Sequence, residues 1–143
     1  MLRLALAVAL LVPSWARSAE PDQAPDPKKV EFFETKIRPV LAEQCLKCHS
    51  EDAAKDKKLR GGLKLDTKAA TLAGGDSGAA VVPGKPAAGT LLASLKYDGE
   101  LKMPPSGKLP DAVIRDFETW IADGAIDPRT GEAAKAAGVD IEK

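Results

Sequence analysis

Cys45-Leu46-Lys47-Cys48-His49 is the stretch of this chain whose residue types and spacing carry chemistry. Two thiols three positions apart, followed at once by an imidazole, form the c-type haem attachment pattern. The thiols can add to the two vinyl groups on one edge of a porphyrin, and the next residue can bring its imidazole under the iron. That reading makes Cys45 and Cys48 the attachment points of one covalent haem c and His49 its proximal ligand. Three other readings of the pair are weaker. A structural zinc site wants four ligands, and two cysteines plus one histidine leave a gap that only a carboxylate could close. A thioredoxin-like dithiol would open a helix after a strand in an alternating pattern, which is not the pattern here. A disulfide across so short a loop would staple little chain and leave His49 without a role.

The axial ligands are limited by composition. His49 is the only histidine, so ligation by two histidines of one chain is excluded. Of the two methionines, Met1 would leave with a leader peptide, and Met103 is then the only thioether. His/Met ligation raises the reduction potential and fills both axial positions, which favours outer-sphere electron transfer over chemistry on a bound molecule. Pro104 and Pro105 would stiffen the loop that carries Met103. A gap-filling core methionine is the competing reading of this residue.

The elements around these residues follow from periodicity. Val30, Phe33, Ile37, Leu41 and Cys45 are spaced three or four apart, so one helix stripe is aimed at the first cysteine. Pro39 removes a backbone donor and predicts a kink or break near Arg38. From His49 to Lys102 the glycines and prolines leave room only for short elements. Leu63, Leu65 and Val81-Val82 are candidates for brief extended pieces. Pro86 can open a short helix carrying Leu91, Leu92 and Leu95. Pro110 and Asp111 begin a last helix with the stripe Val113, Ile114, Phe117, Trp120 and Ile121, and Gly124 is its stop signal.

At 143 residues, one modest domain is expected. Arg3 followed by the apolar run Leu4–Val12 and small residues at Ser14 and Ala16 reads as a secretory signal peptide over residues 1–16, cut after Ala16 or within residues 16–19. Nine apolar residues cannot cross a hydrocarbon layer that needs roughly 20, so no stable membrane insertion is expected after cleavage. The predicted location is periplasmic or extracytoplasmic. Residues 17–29 read as a flexible linker, 30–126 as the domain, and 127–143 as a frayed tail. The 21 basic and 21 acidic side chains balance, which gives no field for nucleic acid. Beyond the leader the chain has five aromatics, Phe32, Phe33, Tyr97, Phe117 and Trp120, and much alanine, so a macrocycle would complete a sparse core.

Between Val30 and Ala125 the sequence resembles the planctomycete-type cytochrome c domain. The likeness is carried by Phe33-Glu34, Ile37-Arg38-Pro39-Val40-Leu41, Cys45 to His49, Gly62-Leu63-Lys64-Leu65-Asp66-Thr67, Val82-Pro83-Gly84-Lys85-Pro86, Met103-Pro104-Pro105, Lys108-Leu109 and Trp120 to Ala125. The resemblance implies thioethers at Cys45 and Cys48, proximal ligation at His49 and distal ligation at Met103. Pro110 departs from it, standing where relatives often place a serine or threonine cap. The expected fold is mostly α, class I cytochrome c-like, with long Gly/Pro-rich loops around one haem and Phe33, Leu41, Phe117 and Trp120 meeting where the first and last helices cross. The free nitrogen of His49 needs a backbone carbonyl, assigned to the loop around Pro83, and Arg60 is a candidate for the haem propionates. The expected function is one-electron transfer between exported redox proteins, without substrate chemistry of its own. A module serving a larger exported enzyme, a haem-based ligand sensor and a haem-free interaction module are the alternatives.

Overall fold

A computed structural model of the chain describes residues 24–129. The expected leader, part of the linker and the tail from residue 130 lie outside the described residues. The architecture is mostly helical, as expected. The order is α1 (Pro27–Phe32), a π turn (Phe33–Ile37), α2 (Arg38–Val40), a second π turn (Leu41–Cys45), α3 (Glu51–Lys55), α4 (Lys68–Ala73), a 3₁₀ turn (Pro86–Ala88), α5 (Thr90–Lys96) and α6 (Asp111–Ala122). Leu63, Leu65 and Val81-Val82 form no strand; the one β contact among the described residues is an isolated Gly75–Gly78 bridge.

The first helical run starts at Pro27 and not at residue 30, so residues 27–29, expected in the linker, are helical. Pro27 sits at the first helical position, where its missing N–H costs nothing, and Asp26 caps the turn by accepting from the Lys28 amide at 2.9 Å. Pro39 does not break the run. The chain stays helical to Cys45, and the change shows instead as a switch to π turns, in which the Arg38 amide reaches back to Phe33 and the Leu46 amide to Leu41. Those turns account for the stripe. Phe33, Ile37, Leu41 and Cys45 are four apart, and on a regular α-helix each step of four would drift about 40° around the axis. The wider π turns absorb that drift. Phe33, Ile37 and Leu41 are accordingly all buried, and Cys45 is delivered half-buried at the end.

α6 crosses this run at the first π turn and packs on α5. The expected aromatic meeting is present: Trp120 lies 5.8 Å from Phe33 and 6.1 Å, edge-on, from Phe117, and Leu41 belongs to the same buried cluster. Pro110 precedes α6 without any side-chain cap, in line with its departure from serine or threonine, and Asp111 supplies an acidic first turn. Gly124, at φ +100°, turns the chain out of α6 where an L side chain would be strained. Leu91, Leu92 and Leu95 are buried as expected, although Pro86 opens a separate 3₁₀ turn and α5 starts only at Thr90.

α3 and α4 have short, clear caps: Ser50 Oγ accepts from Ala53 at 3.0 Å and Thr67 Oγ1 from Ala70 at 3.1 Å. Thr67→Ala should lower unfolding stability by about 1 kcal/mol, measured by denaturant titration, while Thr67→Asn should retain most of it. Equal stability of the alanine variant and the parent would remove the cap from this account.

The C-terminal boundary is a correction. Residues 127–129 are not frayed: Asp127 and Arg129 are buried, at 5% and 7% exposure, and the domain continues at least to Arg129. A stretch without an apolar stripe gave no sign of this, because the buried groups are charged and are tolerated there only by satisfying each other in an ion pair.

Candidate functional site

The cysteine-histidine segment turns sharply out of the second π turn. The Cys48 and His49 amides both donate to the Cys45 carbonyl, at 3.1 and 3.0 Å. The segment is then held against residues 60–65 by backbone bonds: Arg60 N–H to the Cys48 carbonyl at 3.1 Å and Leu65 N–H to the His49 carbonyl at 2.9 Å. Within the same stretch the Leu63 carbonyl lies 3.1 Å from His49 Nδ1. With a proton on Nδ1 donated to Leu63, Nε2 is the nitrogen left to ligate. A backbone carbonyl partner was expected, but the loop around Pro83 was the wrong one. That loop is engaged elsewhere, with Gly84 N–H donating to the Ile121 carbonyl at the end of α6 at 2.7 Å.

Cys45, Cys48, His49 and Met103, the four residues singled out from the sequence, all line one cavity of about 430 Å³. This lies within the roughly 300–1,000 Å³ range of small-molecule and cofactor sites. Leu63, Leu65, Leu91, Leu95, Leu101, Pro104 and Pro105 form its apolar walls, and Arg60, Gln44, Thr90 and Ser94 contribute polar groups. Arg60 lies at the cavity, as the propionate assignment required, and makes no ion pair among the described residues. Gly75 is needed by close approach, since a Cβ there would run into the Gly61 carbonyl at the cavity wall.

The Met103 loop is tied to α5 from both sides. The Met103 amide donates to the Ser94 carbonyl at 3.1 Å, and the Tyr97 hydroxyl donates to the Pro104 carbonyl. Tyr97 reaches it from the C-terminal end of α5, in the left-handed conformation at φ +63°. Periodicity does not mark this tyrosine as a site residue; its being the chain's only one, six residues before Met103, is the available signal.

The Gly62 to Thr67 stretch holds several functions the periodicity did not expose. Leu63 and Leu65 fasten His49, Asp66 accepts from the Glu51 amide at 2.6 Å to close the start of α3, and Thr67 caps α4. Lys64 pairs with Glu51 at 2.8 Å on the surface, where its ammonium holds the Glu51 carboxyl below the usual range.

The chemistry of the donor set fits a thioether-attached haem better than the alternatives. Burial pushes the Cys45 thiol up to about 11, and the residue ends a helical run. A reactive redox dithiol needs the opposite, a depressed thiol at a helix start. Both cysteines are free, and no cluster of three or more His, Cys, Asp or Glu residues suited to a bare metal ion occurs among the described residues. Two thiols, an imidazole and a thioether around an apolar slot match what an iron porphyrin requires.

Residues 45–107 match the family model described as Planctomycete cytochrome C. No curated protein and no solved structure matches the chain. The matched stretch runs from the first cysteine past Met103 and holds nearly all of the cavity wall. The first helical run and α6, on which that stretch is mounted, lie outside it.

Proposed function

From the premise that the chain carries a planctomycete-type cytochrome c domain, we propose that it holds one covalent haem c and transfers single electrons between exported redox proteins. The observation that carries the proposal is the convergence of Cys45, Cys48, His49 and Met103 on one apolar cavity. Cys45 and Cys48 would hold the haem by thioethers, each S–H adding across a vinyl group so that a carbon–sulfur bond replaces the vinyl π bond and the thiol hydrogen passes to the other vinyl carbon. No oxidant or reductant is needed. His49 would ligate through Nε2, with the Leu63 carbonyl keeping the proton on Nδ1. Met103 would supply the second ligand, and Tyr97 holds its loop in place. When bound, the haem supplies the ferric/ferrous couple, at a potential raised by thioether ligation.

The leucine and proline walls keep water from the site, and Arg60 is placed to meet a propionate. With His49 and Met103 both given to holding the haem, the domain would carry electrons and make no substrate bond. Among the described residues no helix is long and apolar enough to cross a membrane.

The test is to express the precursor with c-type maturation machinery and record ferric and ferrous spectra with a haem stain after denaturing electrophoresis. The expected result is covalent haem with a methionine-ligand band in the ferric spectrum. Met103→Ala should abolish that band, lower the reduction potential by on the order of 0.2 V, within the roughly 0.8 V over which axial ligands tune haem, and let the ferrous protein bind carbon monoxide. An unchanged spectrum in Met103→Ala reassigns Met103 to packing and favours a ligand sensor. Absence of covalent haem defeats the proposal.

A further inference from the structure

Asp127 and Arg129 are the only buried charged side chains among the described residues. The guanidinium grips Asp127 twice, Nη2 to Oδ2 at 2.6 Å and Nε to Oδ1 at 2.9 Å, and its Cζ lies 4.9 Å from the centre of the Phe33 ring. A buried ion pair is seldom more stabilising than well-packed apolar side chains of the same volume, so folding stability alone gives little reason for it. Its remaining bond is more informative: Arg129 Nη1 donates to the Leu65 carbonyl at 2.9 Å, across 64 residues of sequence. The amide of the same Leu65 donates to the His49 carbonyl, and two residues earlier the Leu63 carbonyl faces His49 Nδ1. Residues 63–65 are thus a short span of backbone fastened to His49 on one side and to Arg129 on the other.

We propose that Arg129, held by Asp127, is a positioning residue for His49, fixing the Leu63–Leu65 backbone so that the Leu63 carbonyl keeps its bond to Nδ1. The inference rests on the haem reading above. A firm Nδ1–H···O bond makes the imidazole a stronger donor through Nε2, and stronger donation favours ferric iron. Loosening the clamp therefore raises the reduction potential.

Arg129→Lys is the informative variant, because it keeps the charge and loses the fork that engages Asp127 and Leu65 together. In the haem-loaded protein it should shift the reduction equilibrium about tenfold toward ferrous, about 59 mV for one electron. In the diamagnetic ferrous form, amide exchange at Leu65 should accelerate. Arg129→Met should move the potential the same way, although loss of a cation by itself would lower it. If Lys leaves the potential unchanged and Met lowers it, Arg129 acts by charge and the positioning role is overturned. A lower unfolding midpoint with an unshifted potential reduces Arg129 to a structural role and overturns it equally. Should both variants fail to fold, Asp127→Asn, which frees the guanidinium with little change in volume, is read by Leu65 exchange: faster exchange supports the clamp and unchanged exchange overturns it. Parent protein without covalent haem defeats the haem reading and this one together; parent protein with haem and unshifted variants defeats this one alone.

Discussion

The Cys45→Ser/Cys48→Ser double variant should give no haem-stained band after denaturing electrophoresis, and the yield of exported folded protein should fall several-fold. The first effect is chemical. A serine hydroxyl does not add to a vinyl group under these conditions, and the chain has only two cysteines, so no other thiol can take over. The second effect is physical. The cavity of about 430 Å³ is walled mostly by leucine and proline, and only a ligand of matching shape can keep water off those walls. Stability losses of even about 1–2 kcal/mol change cellular abundance several-fold, and an unfilled apolar site costs at least that order. Each single variant should retain one thioether and a fainter stain. A double variant with a full haem-stained band would mean that these sulfurs are not the attachment points.

Trp120→Ala should cost about 3–5 kcal/mol, the usual range for deleting a large buried aromatic, and lower the thermal midpoint by roughly 10–20 °C. Trp120 is 2% exposed and stands between Phe33 and Phe117, so its removal leaves a hole at the crossing of α6 with the first helical run. It also donates from Nε1 to the Ile126 carbonyl at 2.8 Å, which anchors the chain just before Asp127 and Arg129. Trp120→Phe should lose that bond and some volume at a cost of about 1–2 kcal/mol. Differential scanning calorimetry of the haem-loaded forms separates the two. A midpoint for the alanine variant within a degree or two of the parent would show that this crossing is not the stabilising contact of the fold.

Much of the site was legible because it is written in side chains at short spacing. Two thiols and an imidazole within five residues point to the proposed haem attachment before any folding is considered, and a single remaining thioether leaves Met103 as the candidate distal ligand. The helix stripes were legible for a similar reason: burial selects residue type at a fixed period, so Phe33, Ile37 and Leu41, and later Ile114, Phe117 and Trp120, announce one face each. The caps at Ser50 and Thr67 carried a usable local signal that glycine and proline punctuation obscured.

The rest was decided only when the chain closed on itself. The partner of His49 Nδ1 is a backbone carbonyl, and every residue carries one, so sequence could state the need for a carbonyl but not which loop meets it; packing placed Leu63 there and sent the Pro83 loop to α6. Arg129 was hidden for the same reason. An arginine after a polar stretch looks solvated until an aspartate two residues away and a carbonyl 64 residues away satisfy it together. Residue types and local spacing thus pointed to the proposed chemistry and determined the helix faces, whereas the tertiary structure chose the backbone partners and the buried charge, because those depend on which distant segments the packed core brings within hydrogen-bond reach.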